Sequence, residues 1–272
     1  MRLSKSIILV CLLGIVVSIS VYVFIPYTLV QGIAVGCLSS FIVTLGVSLM
    51  TYKSDNIEYL RQTHASLKQI YHDLVCISNW VLALSSESIG LAVFHKGMDL
   101  EDIQVQYELL EKVIERSERL GNLNDKAILL GSCLGVLVAD SSKVQGFKPV
   151  CKGKNTHMEI VSYKATLDNL AGELRNLVEA CWAVIAYYET VRGIGVLDTT
   201  LRRALHSSDE LLVVVDRLQD LTGAVKTLTE ELILKVEAEL GSNLGGSPWV
   251  AEKQTADVAT SCTLSRELYS LK

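Results

Sequence analysis

The chain begins with a long apolar block that contains no charged side chain. Between Ser6 and Met50, 45 consecutive residues include no Asp, Glu, Lys or Arg. A transmembrane helix needs about 20 apolar residues to cross about 30 Å of hydrocarbon, so this block is long enough for two spans. We assign the spans to residues 6–25 and 28–50, preceded by a short N-terminal segment of residues 1–5.

A proline divides the apolar block near its middle. Pro26 has no backbone N–H and disfavours a helical conformation for the residue before it, so a helix should end there. We therefore predict a transmembrane hairpin with Pro26 and Tyr27 in its turn. Arg2 and Lys5 precede the first span and further basic residues follow the second, so the positive-inside rule predicts that both termini face the cytosol.

Two alternatives compete with the hairpin. Residues 1–24 resemble a cleaved signal peptide in having a basic start, but no small-residue cleavage site follows and a second span comes at once. A buried soluble hairpin would need a very large body to cover it. Within the second span, Gly32 and Gly36 form a GxxxG pattern, which predicts close packing of helices in lipid.

The remainder, residues 52–241, shows the apolar spacing of long helices. Apolar residues recur at alternating steps of three and four over residues 67–84, 160–191 and 211–232. This pattern predicts an all-α fold, either an antiparallel bundle within one chain or a coiled coil between chains. The longest stripe supplies the predicted packing positions Ile160, Leu167, Leu170, Leu174, Leu177, Cys181 and Val184.

Two polar segments complete the prediction. A shorter helix fits residues 99–120, with Asp99 as its N-cap and ion-paired charges on its surface. Residues 242–272 contain two adjacent glycines and no sustained apolar period, so we predict a flexible C-terminal tail.

Composition narrows the class of function. The chain is 50% hydrophobic with a mean hydropathy of +0.35, and its net charge is −5. Because both basic residues of the N-terminal segment lie before the apolar block, the remainder carries −7, which gives no basis for a nucleic-acid partner.

Candidate chemistry is sparse. The seven cysteines form no CxxC pair and the five histidines form no HExxH motif, so no metal site and no cofactor are predicted. The string Gly131-Ser132-Cys133-Leu134-Gly135 matches a nucleophile elbow, but that motif needs a strand before it, and its surroundings indicate a helix. We therefore predict no catalytic residues.

The architecture as a whole resembles the chlamydial inclusion membrane proteins. The features that carry the resemblance are the paired spans at residues 6–25 and 28–50, followed directly by the segment 59–68 and a long helical body. The resemblance implies a secreted effector in the membrane of the bacterium's vacuole, with its helical part in the host cytosol. Family members usually have a longer N-terminal segment that carries the secretion signal, and here five residues precede the first span.

The predicted function is a membrane-anchored helical scaffold or tether. Its partners would be the lipid bilayer, a cytosolic protein and a second copy of the chain. Two alternatives are a pore-forming membrane effector, for which Ser40, Thr44 and Ser48 supply a hydroxyl face, and a membrane-bound sensor or enzyme.

Overall fold

The computed structural model describes residues 2–25, 27–145, 154–194, 199–244, 248–250 and 253. These residues are helical apart from short connections, and no strand occurs among them, which confirms the predicted all-α class. The helices are α1 (Arg2–Phe24), α2 (Thr28–Leu91), α3 (Ile103–Arg116), α4 (Leu120–Gln145), α5 (Lys154–Ile194) and α6 (Thr199–Leu240). Short 3-10 turns follow α3 at Ser117–Arg119 and α6 at Gly241–Asn243.

The chain divides into two compact units. The first, called here the N-terminal unit, comprises Met1–Thr63 with Leu240–Gly245. The second, called the helical unit, comprises His64–Glu239 with Gly246–Lys272. Helix α2 contributes residues to both.

Helix α2 does not end where the second predicted span ends. It continues from Thr28 to Leu91, a length of 64 residues. The sequence explains this continuity, because residues 47–89 contain neither glycine nor proline, the two residues that most readily interrupt a helix. The apolar span and the first amphipathic stripe therefore belong to one helix.

The N-cap predicted for α3 lies three residues later than expected. Asp102, with extended backbone angles, accepts a hydrogen bond from the backbone N–H of Gln104 at 2.8 Å, and it is the cap. Asp99 instead accepts from the backbone N–H of Glu101 at 3.0 Å, within a turn that precedes the helix. Both aspartates compete for backbone donors, and the residue nearer to the apolar period begins the helix.

Three helical stretches are long and apolar enough to cross a membrane by length and composition. They are Ile7–Phe24, Thr28–Leu91 and Ile103–Val144. In the most apolar windows of the first two, 11% and 6% of the residues are buried, whereas the share in the third is 39%. The third stretch contains the apolar part of α4, which packs against α5 in the helical unit.

The core of the helical unit is built from the predicted stripes. The stripe positions Ile70, Leu74 and Ile77 of α2 and Leu170, Leu174 and Leu177 of α5 are completely inaccessible to solvent. Helix α6 buries Leu211, Leu218, Val225 and Leu232 of its predicted stripe together with Val215, whereas Leu228 of that stripe is 41% exposed. Burial of such side chains is the main source of helix stability in proteins, since isolated helices are marginal in water.

Candidate membrane anchor and interaction surface

The N-terminal unit exposes most of its apolar side chains. Val16 and Val17 in α1 are about as exposed as Ile33 in α2, at 61%, 60% and 60%. A soluble monomer rarely exposes apolar area that is this continuous, and water is a poor solvent for it. The exposed surface of both helices thus has the composition of a surface that faces lipid.

Close packing of α1 and α2 occurs at a glycine. A Cβ atom added to Gly14 would lie 2.5 Å from the ring of Phe41, a distance that real side chains do not tolerate. Gly14 therefore permits the ring of Phe41 to lie against the backbone of α1. Around this contact, the side chains of Val10, Val17, Val30 and Ala34 help to line an apolar groove.

The predicted hairpin turn is only partly described. Pro26 lies outside the described residues, while Tyr27 is 71% exposed. The backbone N–H of Gln31 donates to the carbonyl of Tyr27 at 2.9 Å, and Ile25 donates to Val21 at 3.1 Å. The helical hydrogen bonds of α1 and α2 therefore extend to either side of the proline.

The two glycines of the GxxxG pattern do not contact α1. A Cβ atom added to Gly32 or to Gly36 would meet no atom within 4 Å among the described residues. The close contact within the chain is made at Gly14 instead. The role of Gly32 and Gly36 in packing between chains stays a prediction.

The predicted packing stripe of α5 lies in the interior of the helical unit. Leu167, Leu170, Leu174, Leu177, Cys181 and Val184 are each at most 1% exposed, whereas the side chain of Ile160 lies outside the described residues. Burial raises the pKa of the Cys181 thiol to about 12, so this cysteine behaves as a small apolar side chain.

Two buried tyrosines connect helices through their hydroxyl groups. Tyr163 in α5 lies 2.8 Å from the Oγ1 atom of Thr229 in α6. Because the Thr229 hydroxyl already donates to the Val225 carbonyl at 2.7 Å, Tyr163 is the donor. Burial raises the pKa of Tyr163. This hydrogen bond joins α5 to α6 within the interior of the helical unit.

The second tyrosine joins three helices. The hydroxyl of Tyr188 in α5 donates to the carbonyl of Leu91 at 2.8 Å and lies 2.9 Å from the Ser208 hydroxyl in α6. Leu91 is the last residue of α2, and carbonyl groups at a helix C-terminus have no partner within the helix. Tyr188 therefore satisfies one of the terminal carbonyls of α2.

Charged pairs also join the helices at partly buried positions. Lys126 in α4 pairs with Glu87 in α2, and their side chains are 19% and 13% exposed. Glu87 lies within the largely apolar stretch of residues 74–94, where a charge without a partner would be costly to bury. The ion pair provides it with a partner inside the helical unit.

Asp73 is a buried carboxyl group in α2 that accepts a hydrogen bond from an uncharged side chain. Asp73 in α2 is 8% exposed, and burial raises its pKa to about 6. A hydrogen bond from Gln69 at 3.2 Å acts in the opposite direction, while the nearby carboxyl of Asp140 raises the pKa further. Lys143, which pairs with Asp140, lowers the pKa of Asp73 and so acts against this rise.

The cysteine string singled out as a candidate nucleophile lies within α4. Gly131, Cys133 and Gly135 are all helical, and no strand precedes them among the described residues. Burial raises the pKa of the Cys133 thiol, which is opposite to the shift that activates a nucleophile. The described residues contain no group of three His, Cys, Asp or Glu side chains placed to hold a metal ion.

The predicted flexible tail, residues 242–272, is packed at Trp249, while residues 254–272 of that prediction lie outside the described residues. Trp249 is completely buried, and its ring lies edge-on to that of Tyr71 with centroids 4.8 Å apart. Its backbone N–H donates to Glu237 at 2.7 Å. The sequence contains a sign of this contact, since Trp249 is the only large aromatic residue between positions 242 and 268. A single residue has no periodicity, so its burial could not be predicted from a pattern.

No protein-family model, curated protein or solved structure matches this chain. The resemblance to chlamydial inclusion membrane proteins consequently depends on the order of the apolar and helical segments alone.

Proposed function

We propose that this protein is a membrane-anchored helical scaffold or tether. Helix α1 and the first part of α2 insert into a bilayer as a hairpin, and both termini face the cytosol. The helical unit presents a surface to a protein partner, with self-association as an additional interaction. If the resemblance holds, the membrane is that of a pathogen's vacuole.

The observation that carries the proposal is the difference in burial between the spans and the rest. In the most apolar part of Ile7–Phe24, 11% of the residues are buried, and in the most apolar part of Thr28–Leu91 the share is 6%. An unburied stretch of this length is stable when hydrocarbon covers it, because all of its backbone groups are satisfied within the helices. Membrane anchoring explains both the exposure and the absence of charge.

The contacts within the helical unit support an antiparallel bundle as its arrangement. His64 in α2 meets Glu237 in α6, while Leu91 at the other end of α2 shares Tyr188 with Ser208 in α6. These pairs run in opposite directions along the two helices. Such a bundle buries its stripes within one chain and leaves its outer faces available to partners.

Of the hydroxyl face at Ser40, Thr44 and Ser48 that would line a pore, Thr44 directs its hydroxyl at its own helix. Thr44 donates to the carbonyl of Ser40 at 2.8 Å, and Ser39 donates to that of Val35 at 2.7 Å. Their donors are satisfied within α2, as is usual for hydroxyl side chains facing lipid. We therefore propose anchoring alone for the hairpin and assign it no conduction.

Topology is the test of the anchor. Epitope tags would be placed at the N-terminus, at the C-terminus and after Tyr27, and the protein would be made in cells. We expect both terminal tags to be accessible from the cytosol without detergent and the tag at Tyr27 to be protected until detergent is added. A protected C-terminal tag would contradict the hairpin.

Association is the test of the scaffold. Chemical cross-linking and mass measurement in lipid nanodiscs would compare the unchanged chain with a Gly32→Leu, Gly36→Leu variant. The Gly14→Ala variant is the control, because it disturbs the packing of α1 against Phe41 within the chain and leaves Gly32 and Gly36 unchanged. Monomers for all three chains would contradict self-association and leave a cytosolic partner as the remaining interaction.

A further inference from the structure

The chain returns to its own surface after α6 and covers a groove there. Pro248, Trp249, Val250 and Lys253 are called here the C-terminal strap. Gly241 has a φ of +49°, a conformation that glycine adopts most easily, and it lies directly after the last residue of α6. The strap therefore follows a helix that ends at a defined turn.

The groove beneath the strap is formed by aromatic and basic side chains of α2 and α6. Trp249 contacts Tyr71 and lies 6.2 Å from the His72 ring, both in α2. The ammonium group of Lys68 lies 5.9 Å from the Trp249 ring centroid, and that of Lys226 lies 6.0 Å from the Tyr71 ring centroid. Ammonium groups at these distances attract the face of an electron-rich aromatic ring, so they favour an aromatic residue at this position.

Two acidic residues of α6 hold the backbone and the charged end of the strap. Glu237 accepts the backbone N–H of Trp249 at 2.7 Å and also lies 2.9 Å from the Nε2 atom of His64. Glu230 accepts from the ammonium group of Lys253 at 2.6 Å. These contacts hold an aromatic residue and a lysine that lies four positions later.

The polar contacts of the strap are incomplete. The buried indole N–H of Trp249 has no hydrogen-bond partner among the described residues. By contrast, the buried hydroxyls of Tyr163 and Tyr188 both have partners. A buried donor without a partner weakens burial, so the ring is held by shape and by few polar contacts.

We propose that the strap is removable and that the groove on α2 and α6 is a peptide-binding surface closed by the chain's own C-terminal segment. Its ligand is a peptide with an aromatic anchor and a lysine four residues later. In the resting chain this ligand is present at the high local concentration that a covalent link provides. The inference goes beyond membrane anchoring and does not depend on it.

A peptide supplied in trans tests the groove. The full chain in detergent micelles, with Trp249→Ala to vacate the groove, would be titrated with a labelled peptide of residues 242–258. We expect the peptide to bind this variant about tenfold more tightly than the unchanged chain, because the strap competes in cis. The same peptide with alanine in place of its tryptophan should not bind.

The neighbouring residue provides a matched control. Val250 is 61% exposed, so Val250→Ala should leave the groove closed and the peptide excluded. Equal binding to the unchanged chain and the Trp249→Ala variant would overturn the proposal, as would absence of binding to a folded variant. Loss of helical circular dichroism in the variant would overturn it as well, since Trp249 would then be an obligatory part of the core.

A charge exchange provides a second test that retains the tryptophan. In a chain with Trp80→Phe and Trp182→Phe, the emission of Trp249 alone reports its exposure to iodide. We expect Lys253→Glu to increase quenching and the added exchange Glu230→Lys to restore protection. If both variants are quenched as weakly as the parent chain, the ion pair does not hold the strap.

Discussion

Val16 in α1 and Val213 in α6 are exposed to a similar degree, 61% and 68%, yet their surroundings differ. Around Val16, the side chains of Leu12, Leu13 and Val17 are also exposed and no charge is close in sequence. Val213 stands between Asp209 and Asp216 on a helix whose other apolar positions are largely buried.

The difference teaches that exposure alone does not identify a surface for lipid. An isolated exposed valine is normal in a soluble helix, because protein surfaces contain much apolar area. A continuous exposed stretch without charge is uncommon outside a membrane. The same substitution, placed once in the N-terminal unit and once in the helical unit, can therefore distinguish the two kinds of surface.

The largest effect is expected inside the helical unit. Leu170→Asp puts a charge without a partner at a position that is completely buried, at a cost of several kcal/mol against a total stability of about 5 to 15. We expect helical circular dichroism and partner binding to be lost together. Val161→Asp is the matched control, because Val161 lies on the same helix and is 56% exposed. Equal effects of the two changes would contradict the assigned interior of α5.

The next effect distinguishes the two exposed valines directly. Val16→Arg should impair membrane insertion by about 2.5 to 3.5 kcal/mol if the residue lies near the bilayer centre. Val213→Arg should change the free energy of unfolding by less than about 0.5 kcal/mol. Carbonate extraction of membranes measures the first and denaturant unfolding in detergent the second. If Val16→Arg inserts as well as the unchanged chain, α1 does not span.

Sequence patterns predicted the helices well because each stripe has the period of the helix that carries it. Leu170 and Leu177 could be placed in an interior before any coordinates were known, since they lie on a stripe with many members. Trp249 could not, because burial of a single residue depends on how the chain returns after α6. The continuity of α2 could have been inferred from the absence of glycine and proline in residues 47–89.

The polar contacts were not predictable from spacing. Tyr163 and Thr229 are 66 positions apart and meet only when the register of α5 against α6 is known. The same applies to Asp73 and Asp140, whose interaction requires α2 and α4 to be adjacent. Periodicity defines the face of a helix, whereas the pairing of faces is a property of the folded chain.

A pH-dependent effect of intermediate size is expected at Asp73. Its pKa of about 6 in the folded chain lies above the ordinary value of 3.8, so the folded state binds more protons between these values. Stability should therefore fall as the pH rises from about 4 to 6 and remain lower above that. Asp73→Asn should remove this slope and stabilise the chain at pH 7 by at most about 3 kcal/mol, given about 1.4 kcal/mol for each pKa unit.

Denaturant unfolding of the full chain in detergent at several pH values measures this effect. Asp125→Asn in α4 is a control for the loss of one negative charge, since its environment is more exposed. A stability profile that keeps its slope between pH 4 and 6 in Asp73→Asn would show that another group is responsible.

The smallest effect is expected at the hydrogen bond between α5 and α6. Tyr163→Phe removes the donor to Thr229 but leaves the Thr229 hydroxyl bonded to the Val225 carbonyl, so no buried donor loses its partner. The cost should be about 1 kcal/mol, the usual net value of one hydrogen bond. Tyr107→Phe removes the same atom from a side chain that is 53% exposed and should cost almost nothing. Because the buried apolar side chains of α5 and α6 are unchanged, Tyr163→Phe should preserve the helical content while lowering the unfolding midpoint. A variant as stable as the Tyr107→Phe control would show that packing, and not this hydroxyl, sets the register of the two helices.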